Sequence, residues 1–291
     1  MRLSPALLFA CLNLTSGPVS ALSLNTLCLE TKLSVLIKNF QGRVGICVSD
    51  GRSGVQVHGN QRFPMYSVFK LAVAVAVLDG VDKGRLHLDD VVTVQQKDLG
   101  IGVQPLATLV GSNGSKTTTR DLLFRMIVDS DGAATNVLVG KAGGPRGVQS
   151  VFDAKKLKGF KIDRDERELD ASQRHDTATP IALANLLQWL ANGQLLSRGS
   201  SALLLEAMTK TRASPDRLRP GLPNGWLVAH NTGSSSTRRG VTSATNDVGI
   251  LIAPDASSFV VVVLIADSKA SDHDRGALIA NVAQAVGECS Q

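Results

Sequence analysis

The stretch SVFKLAVAVAVLD occupies residues 67–79 and is apolar on nearly every side. That composition predicts a helix that is buried all round, because a surface helix would carry a polar face. Ser67 and Lys70 stand three residues apart at its start and therefore share one face. A serine hydroxyl is a weak nucleophile that needs a neighbouring base, and a lysine amine can serve as one. The alternative is a surface serine and lysine, but the apolar run would then carry Lys70 inside without a partner.

The composition around this stretch excludes several classes of protein. The chain has 291 residues, which suits one large domain or two modest ones. Its 43% hydrophobic and 19% charged residues argue against wholesale disorder. Aromatic residues make up only 4%, too few for stacking single-stranded nucleic acid. The net charge of +6 is spread along the chain, so we expect no nucleic-acid partner.

The N-terminus has the pattern of a secretory leader. Met1 and Arg2 give a positive start, residues 6–14 are mostly apolar, and Val19-Ser20-Ala21 fits a small-x-small cleavage site. We predict a signal peptide over residues 1–21 and a mature chain from near Leu22. The apolar part is too short to span a bilayer, and no membrane span is expected later in the chain. The alternatives are a frayed N-terminal helix and, because Phe9 fits poorly, a weak lipoprotein box ending at Cys11.

Three cysteines remain after the leader: Cys28, Cys47 and Cys289. None has CxxC spacing, so a zinc cluster is not indicated and we expect no metal. Export permits a disulfide. Cys28 and Cys289 would meet if the first and last helices pack antiparallel. Three separate buried thiols are the alternative, and Cys47 fits a buried small hydrophobe in either case.

The order of predicted elements is helix, two strands, a block of helices, three strands and a final helix. The terminal helices cover residues 24–39 and 272–287, and the strands cover residues 44–48, 55–57, 226–231, 248–252 and 259–266. The helical block has helices near residues 118–128, 132–140, 180–193 and 200–211. This order predicts an α+β fold with one five-stranded antiparallel sheet and a helical lobe. We expect an α/β lobe of residues 22–62 and 212–291, a helical lobe of residues 63–211, and the site in the cleft between them.

Three further segments contain residues that could take part in catalysis or binding, but each also has a purely structural interpretation. Ser130-Asp131-Gly132 lies between two predicted helices, where its hydroxyl can face a cleft or its side chains can cap a helix. Asn231-Thr232-Gly233-Ser234 ends a predicted strand, where hydroxyls and N–H groups can bind a carbonyl and a carboxylate, or simply form a turn. Residues 163–170, DRDERELD, are a charge run that usually indicates a solvated loop.

In this order and spacing, these four segments resemble the class A serine β-lactamases, whose S-x-x-K, S-D-N and K-T-G motifs are established. The resemblance covers essentially the whole mature chain. Gly225-Trp226, Thr245-Asn246-Asp247 and residues 176–180 are also similar to the family. The resemblance implies an enzyme without a cofactor that acts on small-molecule β-lactams, as a monomer in the periplasm, after secretion across the inner membrane.

The resemblance also implies a role for each catalytic residue. Ser67 would be acylated by the lactam, with Lys70 as the base or proton relay. Ser130 would pass a proton to the departing lactam nitrogen. Glu166 would activate the water that hydrolyses the acyl-enzyme. The N–H groups of Ser67 and Ser234 would form the oxyanion hole.

The substrate-binding residues that the resemblance implies share the cleft. They are Gly132, Asp170, Arg217, Asn231, Thr232, Gly233 and Ser234. Arg164 and Asp176 would pair to close the loop that carries Glu166.

The chain departs from the family pattern at several of these positions. Asn231 stands where Lys or Arg is usual, and Arg217, Arg238 or Arg239 are the candidates to supply the missing charge. Gly132 replaces an Asn that bonds the substrate amide. In the loop, Asp170 replaces Asn and Arg167 replaces Pro, which bears on where Glu166 lies.

Three functions are consistent with the sequence. The first is a β-lactamase with altered selectivity. The second is a penicillin-binding peptidase, which acylates but lacks the deacylating carboxylate, although Glu166 argues against it. The third is a binding protein without activity, which the neutral residues Asn231 and Gly132 keep open.

Overall fold

The computed structural model describes residues 21–100, 102–165 and 176–291. The predicted leader up to residue 20, and Glu166 and Asp170 of the predicted site, lie outside the described residues. No helix within the described ranges is both long enough and apolar enough to cross a membrane.

The elements follow the predicted order. The helices are α1 (Thr26–Ile37), α2 (Phe69–Asp82), α3 (Thr119–Val128), α4 (Gly132–Lys141), α5 (Gly144–Ala154), α6 (Pro180–Ala191), α7 (Arg198–Thr209) and α8 (Asp272–Glu288). The strands are β1 (Arg43–Ser49), β2 (Gly54–Val57), β3 (Phe63–Pro64), β4 (Val91–Val94), β5 (Ser115–Thr118), β6 (Phe160–Lys161), β7 (Thr177–Ala178), β8 (Leu227–Ser234), β9 (Thr237–Arg238), β10 (Val241–Thr242), β11 (Thr245–Ile252) and β12 (Ser258–Ala266).

The main sheet has five antiparallel strands in the order β2-β1-β12-β11-β8. Both ends of the chain contribute to it, as the sequence predicted, and the α+β fold is confirmed. Strand β12 is apolar throughout because both of its faces are covered. Val261 and Val263 join a core with α1 and α8, whereas Val260 and Val262 join the core of the helical block.

Helix α2 runs through the centre of the helical block. Every residue from Phe69 to Gly80 is buried, which confirms the expectation from its all-round apolar sequence. The predicted helix begins at Ser67, but the structure has a 3₁₀ turn over Tyr66–Val68 before the α-helix starts. Ser67 therefore lies in the tighter turn that leads into the helix.

Some elements were absent from the sequence prediction. Helix α5 follows Gly143, whose φ of 87° is left-handed. Strands β4 and β5 form an antiparallel pair. Strands β3, β7 and β6 form a small sheet of two-residue strands, which are too short to show a periodic pattern.

The terminal helices are joined covalently. Cys28 in α1 and Cys289, which follows α8, form a disulfide with their Cα atoms 5.7 Å apart. Of the two possibilities that the sequence left open, the bridge is therefore the one present. Cys47 is a half-buried free thiol in β1, and burial raises its pKa to about 11.

Candidate active site

Lys70 connects two serine hydroxyls. Its Nζ lies 3.2 Å from Ser67 Oγ and 2.9 Å from Ser130 Oγ, and it also donates to the Ser130 carbonyl oxygen at 2.7 Å. The Lys70 residue is only 2% exposed. The first two motifs of the sequence thus meet around one buried amine, which can take a proton from one hydroxyl and return it through the other.

The turn that presents Ser130 is fixed by its neighbour. Asp131 caps α4: its Oδ1 accepts from the N–H of Ala134 at 2.8 Å and its Oδ2 from the N–H of Leu106 at 2.6 Å. Ser130 has a φ of 57°, a left-handed conformation that is uncommon outside glycine and often marks functional sites. Asp131 is therefore the helix cap that the sequence allowed, and the Ser130 hydroxyl faces Lys70.

The backbone before Ser67 is held by an amide of β11. Asn246 Nδ2 donates to the carbonyl oxygens of Pro64 at 2.9 Å and Met65 at 3.1 Å. The next residue, Tyr66, has a left-handed φ of 48°. Asn246 therefore helps to hold the turn that carries the nucleophile. The sequence showed this residue only as part of a family-like triplet, because its contact spans 181 residues of chain.

The third motif packs directly against the nucleophile. A Cβ added to Gly233 would lie 2.5 Å from Met65 O and 3.2 Å from the nitrogen of Ser67. A side chain at this position would push β8 away from the Ser67 turn. Gly233 therefore allows the end of β8 to lie against the turn that carries Ser67.

Arg217 reaches this strand end from outside the motifs. Its Nη2 donates to Ser234 Oγ at 2.5 Å, and its Nη1 donates to the carbonyl oxygens of Gly233 at 3.2 Å and Asn246 at 2.7 Å. The side chain is 4% exposed, and burial lowers the pKa of its guanidinium while the charge of Asp247 opposes that shift.

The other two candidate arginines differ in position. Arg238 in β9 and Arg239 after it are exposed, whereas Arg217 contacts the third motif. Of the three, Arg217 is therefore the one that places a cation against Ser234.

The residue that stands where the family usually has Lys or Arg is buried. Asn231 is 2% exposed, and its Oδ1 has no hydrogen-bond partner among the described residues. Side chains alternate along a strand, so Asn231 and Gly233 share the face turned to the Ser67 segment. Thr232 between them is also buried. Gly132 begins α4, and its N–H donates to Val103 O at 2.8 Å.

The segment after β6 closes onto Asp176. Asp176 Oδ1 accepts from the N–H of Asp163 at 2.8 Å and from the N–H of Arg164 at 3.3 Å. The Arg164–Asp176 contact expected from the sequence is thus present through the Arg164 backbone. Burial raises the pKa of Asp176 to about 7, against the effect of these two hydrogen bonds.

The described residues contain no group of three or more histidine, cysteine or acidic side chains placed to hold a metal ion. The polar groups gathered around Ser67 are instead hydroxyls, amides, the Lys70 amine and the Arg217 guanidinium. Such a set suits acyl transfer to a serine.

Comparison with known proteins agrees with this geometry. The model of the β-lactamase enzyme family matches residues 28–289. The extended-spectrum β-lactamase PER-1 of Pseudomonas aeruginosa is 31% identical over 262 residues, which are 88% of this chain and 85% of that protein.

Solved structures extend the comparison. A β-lactamase from Chitinophaga pinensis has a TM-score of 0.84 at 32% identity, over 88% of this chain and 97% of that one. A class A β-lactamase from Bacteroides cellulosilyticus has a TM-score of 0.85 at 27% identity, over 91% and 97%. The chain belongs to the β-lactamase enzyme family and has the class A serine β-lactamase fold.

Proposed function

We propose that the protein hydrolyses β-lactams through an acyl-enzyme on Ser67. The observation that carries this proposal is the position of the Lys70 amine between the hydroxyls of Ser67 and Ser130, at 3.2 and 2.9 Å. A surface Ser/Lys pair would not be enclosed with a second hydroxyl. Family membership supports the same chemistry.

In the acylation step, Ser67 Oγ attacks the lactam carbonyl carbon while the amine of Lys70 takes the hydroxyl proton. The carbonyl oxygen gains negative charge, which the N–H groups of Ser67 and Ser234 stabilise. A donor of this kind contributes about a hundredfold or more in rate. The carbon–nitrogen bond then breaks. The nitrogen receives a proton from Ser130, which regains one from Lys70.

In the deacylation step, water attacks the ester carbonyl, and Ser67 leaves with a proton. We assign the base to Glu166, on the strength of the resemblance to class A enzymes. Glu166 lies outside the described residues, and so does Asp170, which we propose lies beside the same water. The contacts of Asp163 and Arg164 to Asp176 support a loop whose ends are closed on each other.

The substrate carboxylate binds at the end of β8 in this proposal. Arg217 and Ser234 supply a cation and a hydroxyl in direct contact with each other, and Thr232 is adjacent. Asn231 supplies no charge, so anionic substrates lose one attraction that family members with Lys have. Gly132 likewise offers no side chain to the substrate amide. We therefore expect the selectivity among lactams to differ from that of the lysine-bearing members.

A progress curve with a chromogenic cephalosporin tests the proposal. We expect continuous turnover, abolished in Ser67→Ala and retained in Ser34→Ala, whose hydroxyl lies on exposed α1. A burst of one equivalent without turnover would instead support a penicillin-binding peptidase. Absence of both would support a binding protein, the alternative that the neutral residues Asn231 and Gly132 keep open.

We also propose export to the periplasm, loss of residues 1–21 and activity as a monomer. The Cys28–Cys289 disulfide supports export, because such bonds persist in oxidising compartments. We further propose that the chain has two lobes, an α/β lobe of residues 22–62 and 212–291 and a helical lobe of residues 63–211. N-terminal sequencing of protein from the periplasmic fraction should begin near Leu22.

A further inference from the structure

A buried histidine–aspartate pair lies next to the third motif. His230 precedes Asn231 in β8, and its Nδ1 lies 2.9 and 3.0 Å from the two carboxylate oxygens of Asp247 in β11. The two side chains are 1% and 0% exposed. A carboxylate accepts, so Nδ1 carries the proton and donates. His230 Nε2 has no hydrogen-bond partner among the described residues, which leaves Asp247 as the group that orients the ring.

Asp247 also holds the backbone next to Arg217. Its Oδ2 accepts from the N–H of Leu218 at 3.1 Å. Leu218 follows Arg217, whose guanidinium contacts Ser234. The Asp247 carboxylate therefore contacts both the His230 imidazole and the backbone of Leu218, the residue after Arg217.

The charge of Asp247 acts on the same guanidinium. Burial lowers the pKa of Arg217, and Asp247 is the largest opposing charge, followed by Asp216 and Asp272. Arg275 acts in the other direction. A buried arginine needs such compensation because burying an unpaired charge is costly. His230 in turn donates to the carboxylate of Asp247, which supplies the largest compensating charge.

We propose that His230 is a positioning residue for substrate recognition, which holds Asp247 and thereby keeps Arg217 beside Ser234. This inference rests on the proposed function, in which Arg217 binds the substrate carboxylate. His230 is not placed to contact the substrate, because its side chain is buried and faces Asp247. Its effect should therefore appear only where a substrate presents a carboxylate.

The test compares His230→Leu with His230→Asn on a penicillin and on its methyl ester. Leucine removes the donor, whereas asparagine keeps an amide near the position of Nδ1. We expect His230→Leu to raise KM for the free acid and to lower its kcat/KM about tenfold, the effect of one hydrogen bond near a charged group. The ester should change by no more than about twofold, and His230→Asn should recover most of the loss.

A double-mutant cycle with Arg217→Ala separates this role from general stability. If His230 acts through Arg217, His230→Leu has no further effect on the free acid once Arg217 is removed. Equal losses on acid and ester, or a full additional loss in the Arg217→Ala background, would overturn the proposal. If His230→Leu does not fold, Asp247→Asn is compared with wild type on the same two substrates and interpreted in the same way.

The two proposals fail in different ways. Wild-type protein that turns over neither the acid nor the ester, nor any cephalosporin, contradicts the proposed function. Wild-type protein that turns over the acid, with His230→Leu indistinguishable from it on both substrates, contradicts only the positioning role.

Discussion

Gly233 in β8 lies against the backbone nitrogen of Ser67, so closely that a Cβ on the glycine would be 3.2 Å from that atom and 2.5 Å from Met65 O. Real Cβ atoms do not approach a backbone oxygen at 2.5 Å. The position of β8 relative to the Ser67 turn thus depends on the absence of a side chain at Gly233.

Gly233→Ala should therefore impair acylation. We expect kcat/KM to fall about a hundredfold, because the displaced strand end moves the Ser234 N–H out of the oxyanion hole. The matched control is Gly199→Ala in α7, where an added Cβ would meet nothing within 4 Å. Steady-state kinetics measure both variants, and a Gly233→Ala enzyme as active as the control would contradict the packing argument.

Replacing Asn231 should restore an attraction that the site lacks. Asn231→Lys places an amine near Ser130 and the substrate carboxylate, and we expect kcat/KM for anionic lactams to rise about tenfold. Asn231→Met is the control, since it is of similar length without the charge. The ratio of kcat/KM between the Lys and Met variants, measured at low and at high salt, isolates the electrostatic contribution. Equal activities for Lys and Met would show that charge at this position has no role.

The Cys28–Cys289 disulfide should stabilise the folded chain. The two cysteines are 261 residues apart in sequence, so the bond restricts a very large loop of the unfolded chain. We expect Cys28→Ser with Cys289→Ser to lower the free energy of unfolding by about 2–4 kcal/mol. Denaturant unfolding measures this, with Cys47→Ala as the control that leaves the bond intact. If the double variant unfolds at the same denaturant concentration as the wild type, the packing of α1 on α8 stabilises the chain without help from the disulfide.

Asp176 should make stability depend on pH. Its pKa is 3.8 in the reference state and about 7 in the folded chain, so the folded state binds the proton more tightly. The resulting stabilisation is fully present below about pH 4 and is lost as the pH rises through about 7.

Asp176→Asn keeps an acceptor for the N–H groups of Asp163 and Arg164 but cannot ionise. Its free energy of unfolding should fall less than that of wild type between pH 5 and pH 8. Asp153→Asn, on the exposed side of α5, serves as the control. Parallel curves for wild type and Asp176→Asn would mean that this carboxyl titrates normally.

The sequence was sufficient to predict elements with a long apolar pattern and contacts between residues that are close in the chain. The apolar stretch of α2 and strand β12 were predicted because burial on several sides leaves a long apolar run. Only residues 248–252 of β11 were predicted, because the strand begins with three polar residues. The Ser67–Lys70 contact follows from the spacing of one helical turn. Ser130 and β8 were placed in the same cleft by the resemblance, and the structure brings Ser130 to Lys70.

The rest depends on contacts between distant parts of the chain. Nothing near Asn246 indicates that it bonds the backbone of Met65, and nothing near His230 indicates Asp247 as its partner. The choice of Arg217 over Arg238 and Arg239 likewise depends on where the chain folds back. Helix α5 was not predicted, because its short amphipathic pattern starts in a glycine-rich segment.

The most direct test of the whole account is the mass of the intact protein after brief exposure to a penicillin. We expect a transient increase equal to the mass of the whole penicillin, located by peptide mapping to Ser67. The adduct should form more slowly in Lys70→Ala and should be absent in Ser67→Ala. An unmodified wild-type mass at all times, or an adduct that persists in Ser67→Ala, would contradict the assignment of Ser67 as the nucleophile.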